Sequence, residues 1–210
     1  MAEAWGWALG QGVLGAVFGS YIATVALRWP DPADGRSRCD GCGAALRWWE
    51  LVPLVGYLVV RGRCARCERA IAPIHPIVEV LGVAIGLSAA VIEPGPPGLF
   101  GAVFGWLLLA LGAIDARVYR LPNLLTGALA AAGMAQVMIL DLSFGAHLAG
   151  GVAGYASLAL VAGLYRRVRG RQGLGGGDAK LLGAIGLWLG WRALPWGVLI
   201  ACGIGLAIAL

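Results

Sequence analysis

Seven runs of apolar residues, at 6–27, 76–92, 98–114, 121–140, 145–165, 181–190 and 193–210, take up most of this 210-residue chain. Most approach the roughly 20 residues with which a helix crosses about 30 Å of hydrocarbon at 1.5 Å per residue. Hydrophobic residues make up 60% and charged ones 13%, and the mean hydropathy is +0.80, outside the range of soluble domains. The expected fold is an all-α polytopic membrane protein of about seven transmembrane helices. Met1 to Trp7 holds Glu3 and no Lys or Arg ahead of the first run, unlike a cleaved secretory signal, so that run is expected to stay as a helix.

Lys and Arg accumulate on the cytoplasmic side of short loops. Threading the seven runs alternately places fifteen of the sixteen basic residues on one face, from Arg28, Arg36 and Arg38 through Arg117 and Arg120 to Arg171 and Lys180, with Arg192 alone opposite. The N-terminus is therefore expected outside and the three basic loops in the cytoplasm. The net charge of +5 then reports topology. It does not indicate a nucleic-acid partner, because the basic residues are spread over membrane-adjacent loops without a recognition motif.

Residues 29–75 form the one polar stretch, and four of the five cysteines lie in it as C-x2-C-x21-C-x2-C: Cys39, Cys42, Cys64 and Cys67. Two such pairs about twenty residues apart can surround one Zn²⁺ tetrahedrally, and a cytoplasmic position keeps the thiols reduced. A redox dithiol would not need a second matching pair, and no thioredoxin-like pattern surrounds these. The stretch is expected to be a small cytoplasmic zinc-binding module between helices one and two. Within it, "LVPLVGYLVV" (51–60) follows Trp48 and Trp49; too short to span, it is expected at the membrane surface. Cys202, alone in the last run, reads as a small buried hydrophobe.

Three carboxylates touch membrane segments: Glu79, Asp115 and Asp178. Ionisable groups there are costly, so each is a candidate site residue. Asp178 lies in "LGGGDAKLLGAIG" (174–186), where Gly175, Gly176 and Gly177 would let the backbone bend and an extended substrate lie close, making them a candidate substrate-approach loop. Phosphate cradling is the rival use of such glycines, but no strand precedes them and the P-loop spacing is absent. By the threading above, Asp115 and Asp178 face the same side. Two carboxylates brought together cannot both ionise easily, so one can serve as base toward water while the other donates to a carbonyl oxygen. That is the chemistry of aspartic peptide hydrolysis.

These motifs resemble those of the type IV prepilin peptidases, membrane aspartyl proteases of the GxGD class. "GAVFGSYIATVALRWP" (15–30) is similar to the family's first-helix signature, the four cysteines with "LRWWELVPLVGYLVVRGRCARC" (46–67) and "HPIVEV" (75–80) to its cytoplasmic domain, and "DARVYRLPNLLT" (115–126) and "GGGDAK" (175–180) to its two catalytic blocks. The resemblance implies that Asp115 and Asp178 are the catalytic aspartates and that Cys39, Cys42, Cys64 and Cys67 bind structural zinc. It further implies type IV prepilins or pseudopilins as substrates, cleaved at the cytoplasmic face of the bacterial inner membrane after a glycine that ends a basic leader. Many members then methylate the new N-terminus, which makes S-adenosylmethionine a candidate cofactor on the resemblance alone. Members commonly have eight membrane helices, against seven runs here, and often an aromatic where this chain has His75; His75 and His147 read as local hydrogen-bonding or interfacial residues.

The expected organisation is a first transmembrane helix (1–28), the zinc module (29–75) and a transmembrane aspartyl peptidase domain (76–210). Small-xxx-small pairs, Gly15/Gly19, Gly82/Gly86, Gly101/Gly105 and Gly150/Gly154, are expected to pack helices closely. A proton-coupled transporter would also use intramembrane carboxylates, but inverted repeats are not evident. A zinc-ribbon membrane adaptor without catalysis would leave the two aspartates unexplained.

Overall fold

Each apolar run becomes a helix. The structure, a computed structural model, describes residues 2–30, 37–171, 173 and 175–209; Asp31, Asp34 and Arg36 of the polar stretch lie outside the described residues, as do Met1, Leu174 and Leu210. Among the described residues the chain runs α1 (Ala2–Arg28), α2 (Val55–Val59), α3 (Ile74–Ile92), α4 (Pro96–Val118), α5 (Asn123–Ile139), α6 (Phe144–Arg169), α7 (Gly176–Leu189) and α8 (Leu194–Ala209). By length and composition α1, α3, α4 and α6 can each cross a membrane. The remaining apolar helices are shorter, with 17 residues in α5, 14 in α7 and 16 in α8.

The helix ends follow from local chemistry. Two prolines open α4, where the missing N–H costs no hydrogen bond. Gly170 (φ +68) ends α6, a left-handed position that glycine takes without a Cβ clash. Arg166, Arg167 and Arg169 fill the last turn of α6, at the negative end of its dipole.

The chain divides into two compact units, Met1–Tyr119 and Arg120–Leu210. The polar module thus falls in the first unit together with α1, α3 and α4, and the stretch expected as one peptidase domain divides between α4 and α5. In the first unit α1 and α3 meet backbone to backbone. A Cβ on Gly15 or Gly82 would overlap the other's carbonyl oxygen, and one on Gly86 that of Gln11. Trp106 of α4 closes this seam, its indole Nε1 donating to the Gly82 carbonyl at 2.9 Å and its ring 5.0 Å from that of Phe18. Gln11 is 1% exposed and its amide has no hydrogen-bond partner among the described residues.

The second unit repeats the device. Gly150 and Gly186 face each other's carbonyls across α6 and α7, and Gly154 lies on the backbone of Leu182. The Trp188 ring of α7 fills the notch left by Gly133 of α5 and donates from Nε1 to the Leu129 carbonyl at 2.7 Å. Outside these seams the helices turn large apolar side chains outward, among them Val91, Ile92, Leu160 and Val168, the pattern a hydrocarbon solvent permits.

Candidate metal centre and candidate active site

The four cysteines come together through two copies of one local structure. In the first, Cys39 N–H donates to Ala44 O, Gly43 N–H to Cys39 O and Leu46 N–H to Ser37 O, each at 2.9 Å. In the second, 25 residues on, Cys64 N–H donates to Arg69 O at 2.9 Å, Glu68 N–H to Cys64 O at 3.0 Å and Ile71 N–H to Gly62 O at 2.9 Å. Antiparallel bridges Arg38–Ala45 and Arg63–Ala70 close the two. Each turn aims a backbone N–H at its first sulfur: Gly41 at Cys39 Sγ, 3.3 Å, and Arg66 at Cys64 Sγ, 3.5 Å.

The four Sγ atoms lie within 4.8 Å of one another, with Cys39 and Cys67 3.8 Å apart. Thiolates at tetrahedral corners about 2.3 Å from one ion stand about 3.8 Å apart, so the donor set can hold a single metal ion. The thiols are inequivalent without it. The Arg66 N–H, followed by the Cys67 N–H, lowers the Cys64 thiol to about 6. The Arg69 N–H also lowers Cys67, but desolvation and the neighbouring thiols outweigh it and push that thiol up to about 11. A cation resolves this competition by favouring the thiolate form at every corner.

Between the knuckles Glu50 caps the 3-10 turn Trp48–Leu51, its Oε2 accepting from Arg47 N–H at 2.6 Å. Trp48, Val55 and Leu58 are exposed, so this short segment presents hydrocarbon outward. Glu79, on α3, is 5% exposed and its Oε2 accepts from Leu54 N–H at 2.7 Å. It ties the segment before α2 to the start of α3.

Asp115 stands half-buried in the last turn of α4. Its carbonyl accepts from Tyr119 N–H at 2.8 Å, and Tyr119 in the left-handed region (φ 52) ends the helix there. Arg117, two residues on, donates to the carbonyl of Ala26 at the end of α1. Asp178 belongs to the second unit. It is exposed, the third residue of α7. A Cβ on Gly175 would come within 3.2 Å of its Oδ2, so glycine there leaves the carboxylate its room.

The glycine segment differs from the expected loop. Gly175 caps α7, while Gly176 and Gly177 already form its first turn. The helix begins earlier than its apolar run, and a Cβ on Gly177 would come within 3.2 Å of the Leu121 Cβ. Lys180 Nζ then donates to Asn123 Oδ1 at 2.8 Å. This bond joins "GGGDAK" to "DARVYRLPNLLT"; neither Asn123 nor Lys180 stood out by its own chemistry, although both lie within the quoted motifs.

His147 is a local hydrogen-bonding residue, its Nδ1 2.9 Å from Ser143 O. Cys202 is exposed, which corrects the expectation of a buried hydrophobe: α8 packs against little of its own unit and leaves this face open.

The chain matches the family model described as the bacterial peptidase A24 N-terminal domain over residues 13–92 and that of the type IV leader peptidase family over residues 102–210. Among curated proteins it is similar to a prepilin leader peptidase/N-methyltransferase of Burkholderia pseudomallei, 42% identical over 178 residues, covering 83% of this chain and 57% of the relative. One of the same description from Klebsiella pneumoniae is 37% identical over 198 residues, 89% of this chain and 87% of the relative. Another, from Dickeya chrysanthemi, is 38% identical over 201 residues, 94% and 69% respectively. The match thus spans little more than half of the Burkholderia relative's length. No solved structure matches.

Proposed function

The chain belongs to the type IV leader peptidase family, and on that premise we propose that it removes the leader of type IV prepilins or pseudopilins with Asp115 and Asp178 as a catalytic pair. One carboxylate takes a proton from the attacking water while the other donates to the scissile carbonyl oxygen. The observation that carries this reading is the Lys180–Asn123 bond. It fastens the motif of Asp178 to Asn123, in the part of the other quoted motif that lies in the second unit.

In this reading seven helices cross the bacterial inner membrane, with the N-terminus outside and both aspartates and the cysteine module at the cytoplasmic face. The distribution of Lys and Arg supports that orientation. The metal is Zn²⁺, which suits four thiolates at tetrahedral spacing and has a structural role. Gly175 to Gly177 let the extended scissile segment approach the start of α7. Methylation of the new N-terminus from S-adenosylmethionine is a second proposed activity, supported by the joint name that the relatives carry.

The mass of a prepilin co-expressed with this chain tests the reading. Loss of the leader is the expected result, and a further methyl group would demonstrate the second activity. An intact prepilin beside correctly inserted protein would overturn it.

A further inference from the structure

One face of α1 is left uncovered by α3 and α4. Gly6, Gly10, Val13, Val17 and Tyr21 follow one another at three- and four-residue steps, and all five are exposed. A Cβ on Gly6 or Gly10 would meet nothing within 4 Å, whereas Gly12, Gly15 and Gly19 of the same helix face α3 directly. A groove of about 470 Å³ opens between Glu3 and Leu14, with Gly6, Gly10 and Gln11 among the residues that line it. Gln11 gives the groove its chemistry. It is 1% exposed, and neither its amide nitrogen nor its amide oxygen has a hydrogen-bond partner among the described residues. Because α1 is long and apolar enough to cross a membrane, that amide faces hydrocarbon surroundings, where a polar group without partners is costly.

What fills the groove must offer this amide an acceptor and a donor together. An acyl chain offers neither, a lipid ester offers only the acceptor, and the backbone of a neighbouring helix already bonds its own groups. A second glutamine amide offers both, in a reciprocal pair, and a two-fold axis brings the same residue of a second copy to that place. We infer that the groove seats α1 of a second copy of this chain, the two helices crossing at Gly6 and Gly10 and each Gln11 amide donating to the other. Glycine at both crossing positions lets two backbones approach closely, as Gly15 and Gly82 do inside the first unit. Gln11 stands between Gly10, which faces open space, and Gly12, which faces Leu87 of α3, so rotation of its side chain carries the amide from the seam into the groove. Glu3 is exposed in the first turn of α1, where the two carboxylates of a pair remain in water.

The test is energy transfer between donor-labelled and acceptor-labelled copies of the full-length zinc-loaded protein in phosphatidylcholine vesicles, over a range of protein-to-lipid ratios. Wild type is expected to associate as a dimer. Gly10→Leu, which fills the crossing, is expected to weaken that dimer at least about tenfold, and so is Gln11→Leu, which keeps the bulk of the side chain and removes its hydrogen bonds. Gly163→Leu, at an equally open glycine of α6, should associate as wild type does. Thermal melting of the same proteins separates pairing between copies from a role inside one chain, because Gln11→Leu also removes an unpartnered amide from the monomer. A wild type that stays monomeric, a dimer indifferent to Gly10→Leu, or a Gln11→Leu protein that melts higher with its association unchanged, each overturns the inference. If either variant fails to fold, Leu14→Cys in a Cys202→Ser background reads the same face. A mild oxidant should then join two zinc-loaded copies into a covalent dimer, and a chain that stays single overturns the inference equally.

Discussion

The cysteine cluster and the proposed aspartate pair both draw on distant parts of the sequence, but they do so by different physics. Each cysteine knuckle is a local turn, fixed by three backbone hydrogen bonds that recur 25 residues later, so only the meeting of two finished pieces is non-local. Asp115 and Asp178 instead stand at the ends of helices set by packing, α4 by Trp106 against the α1–α3 seam and α7 by its glycine seam with α6. A metal can repair small errors in the first arrangement by drawing four thiolates to itself. Nothing comparable corrects the second, where helix packing must place each carboxylate.

The largest expected effect breaks the aspartate side of that contrast. Asp115→Asn and Asp178→Asn should each reduce prepilin cleavage by about a thousandfold or more, within the range of acid–base catalysis and positioning combined. The double mutant should be no worse than either single, because residues that act as one unit are non-additive. Asp141→Asn, in the loop before α6, serves as control. Substantial activity in either single mutant separates the two aspartates.

Chelation breaks the other side. Removing the metal should unfold the module around 37–72, seen as a change in Trp48 and Trp49 emission, while the helical signal of α4 to α8 persists, since apolar packing and backbone seams hold those helices without a metal. In the stripped protein, trapped before it unfolds, Cys64 should alkylate ahead of Cys67 at pH 7. A thiol lowered to about 6 is already thiolate there, and its rate falls only as the pH drops through 6. One raised to about 11 remains a thiol and stays slow. Mass mapping of the alkylated peptides decides the order, and loss of all helical signal on chelation would mean that the module also supports the bundle.

A smaller effect sharpens the helix side. Gly186→Val should cost about 1–3 kcal/mol, because the new Cβ meets the backbone of Gly150. Gly163→Ala lies on α6 with nothing within 4 Å and should gain up to about 1 kcal/mol of helix propensity. Thermal midpoints in detergent should therefore move in opposite directions for two glycines that look alike in the sequence.

That likeness marks where the sequence stops being readable. Apolar runs predict α3 and α5 to within a few residues, since a helix in hydrocarbon must be apolar over its length. The cysteine spacing predicts the thiol cluster, since each knuckle is local. Gly150/Gly154 shows as a small-residue pair, but its partners Gly183 and Gly186 do not follow that spacing and emerge only once α7 is laid on α6. The start of α7 at Gly176 is hidden because glycine reads as a breaker. The Glu79–Leu54 bond spans 25 residues and leaves no local signal. The division into compact units after Tyr119 is likewise a property of packing.

The smallest effect lies inside the cysteine module, at a left-handed position that the two knuckles share but fill with different residues. The residue after the second cysteine of each pair is left-handed: Gly43 with φ +67 and Glu68 with φ +57. Glycine adopts that conformation without penalty, while a residue with a Cβ gives up about 1–2 kcal/mol there. A side chain on Gly43 would meet nothing within 4 Å, so substitution there tests backbone conformation with no steric term. Gly43→Glu, which copies the second knuckle into the first, should cost about 1 kcal/mol. The reverse change, Glu68→Gly, should gain somewhat less, about 0.5 kcal/mol, because glycine adds conformational entropy to the unfolded chain. On the proposed zinc reading, folding of the module is linked to metal binding, so both changes should appear as affinity: about fivefold weaker zinc retention against a competing chelator for Gly43→Glu, and about twofold tighter for Glu68→Gly. Gly43→Asn, whose side chain tolerates the left-handed region, should fall between wild type and Glu. If all three proteins hold zinc alike, the turns do not limit assembly, and the meeting of the two knuckles does.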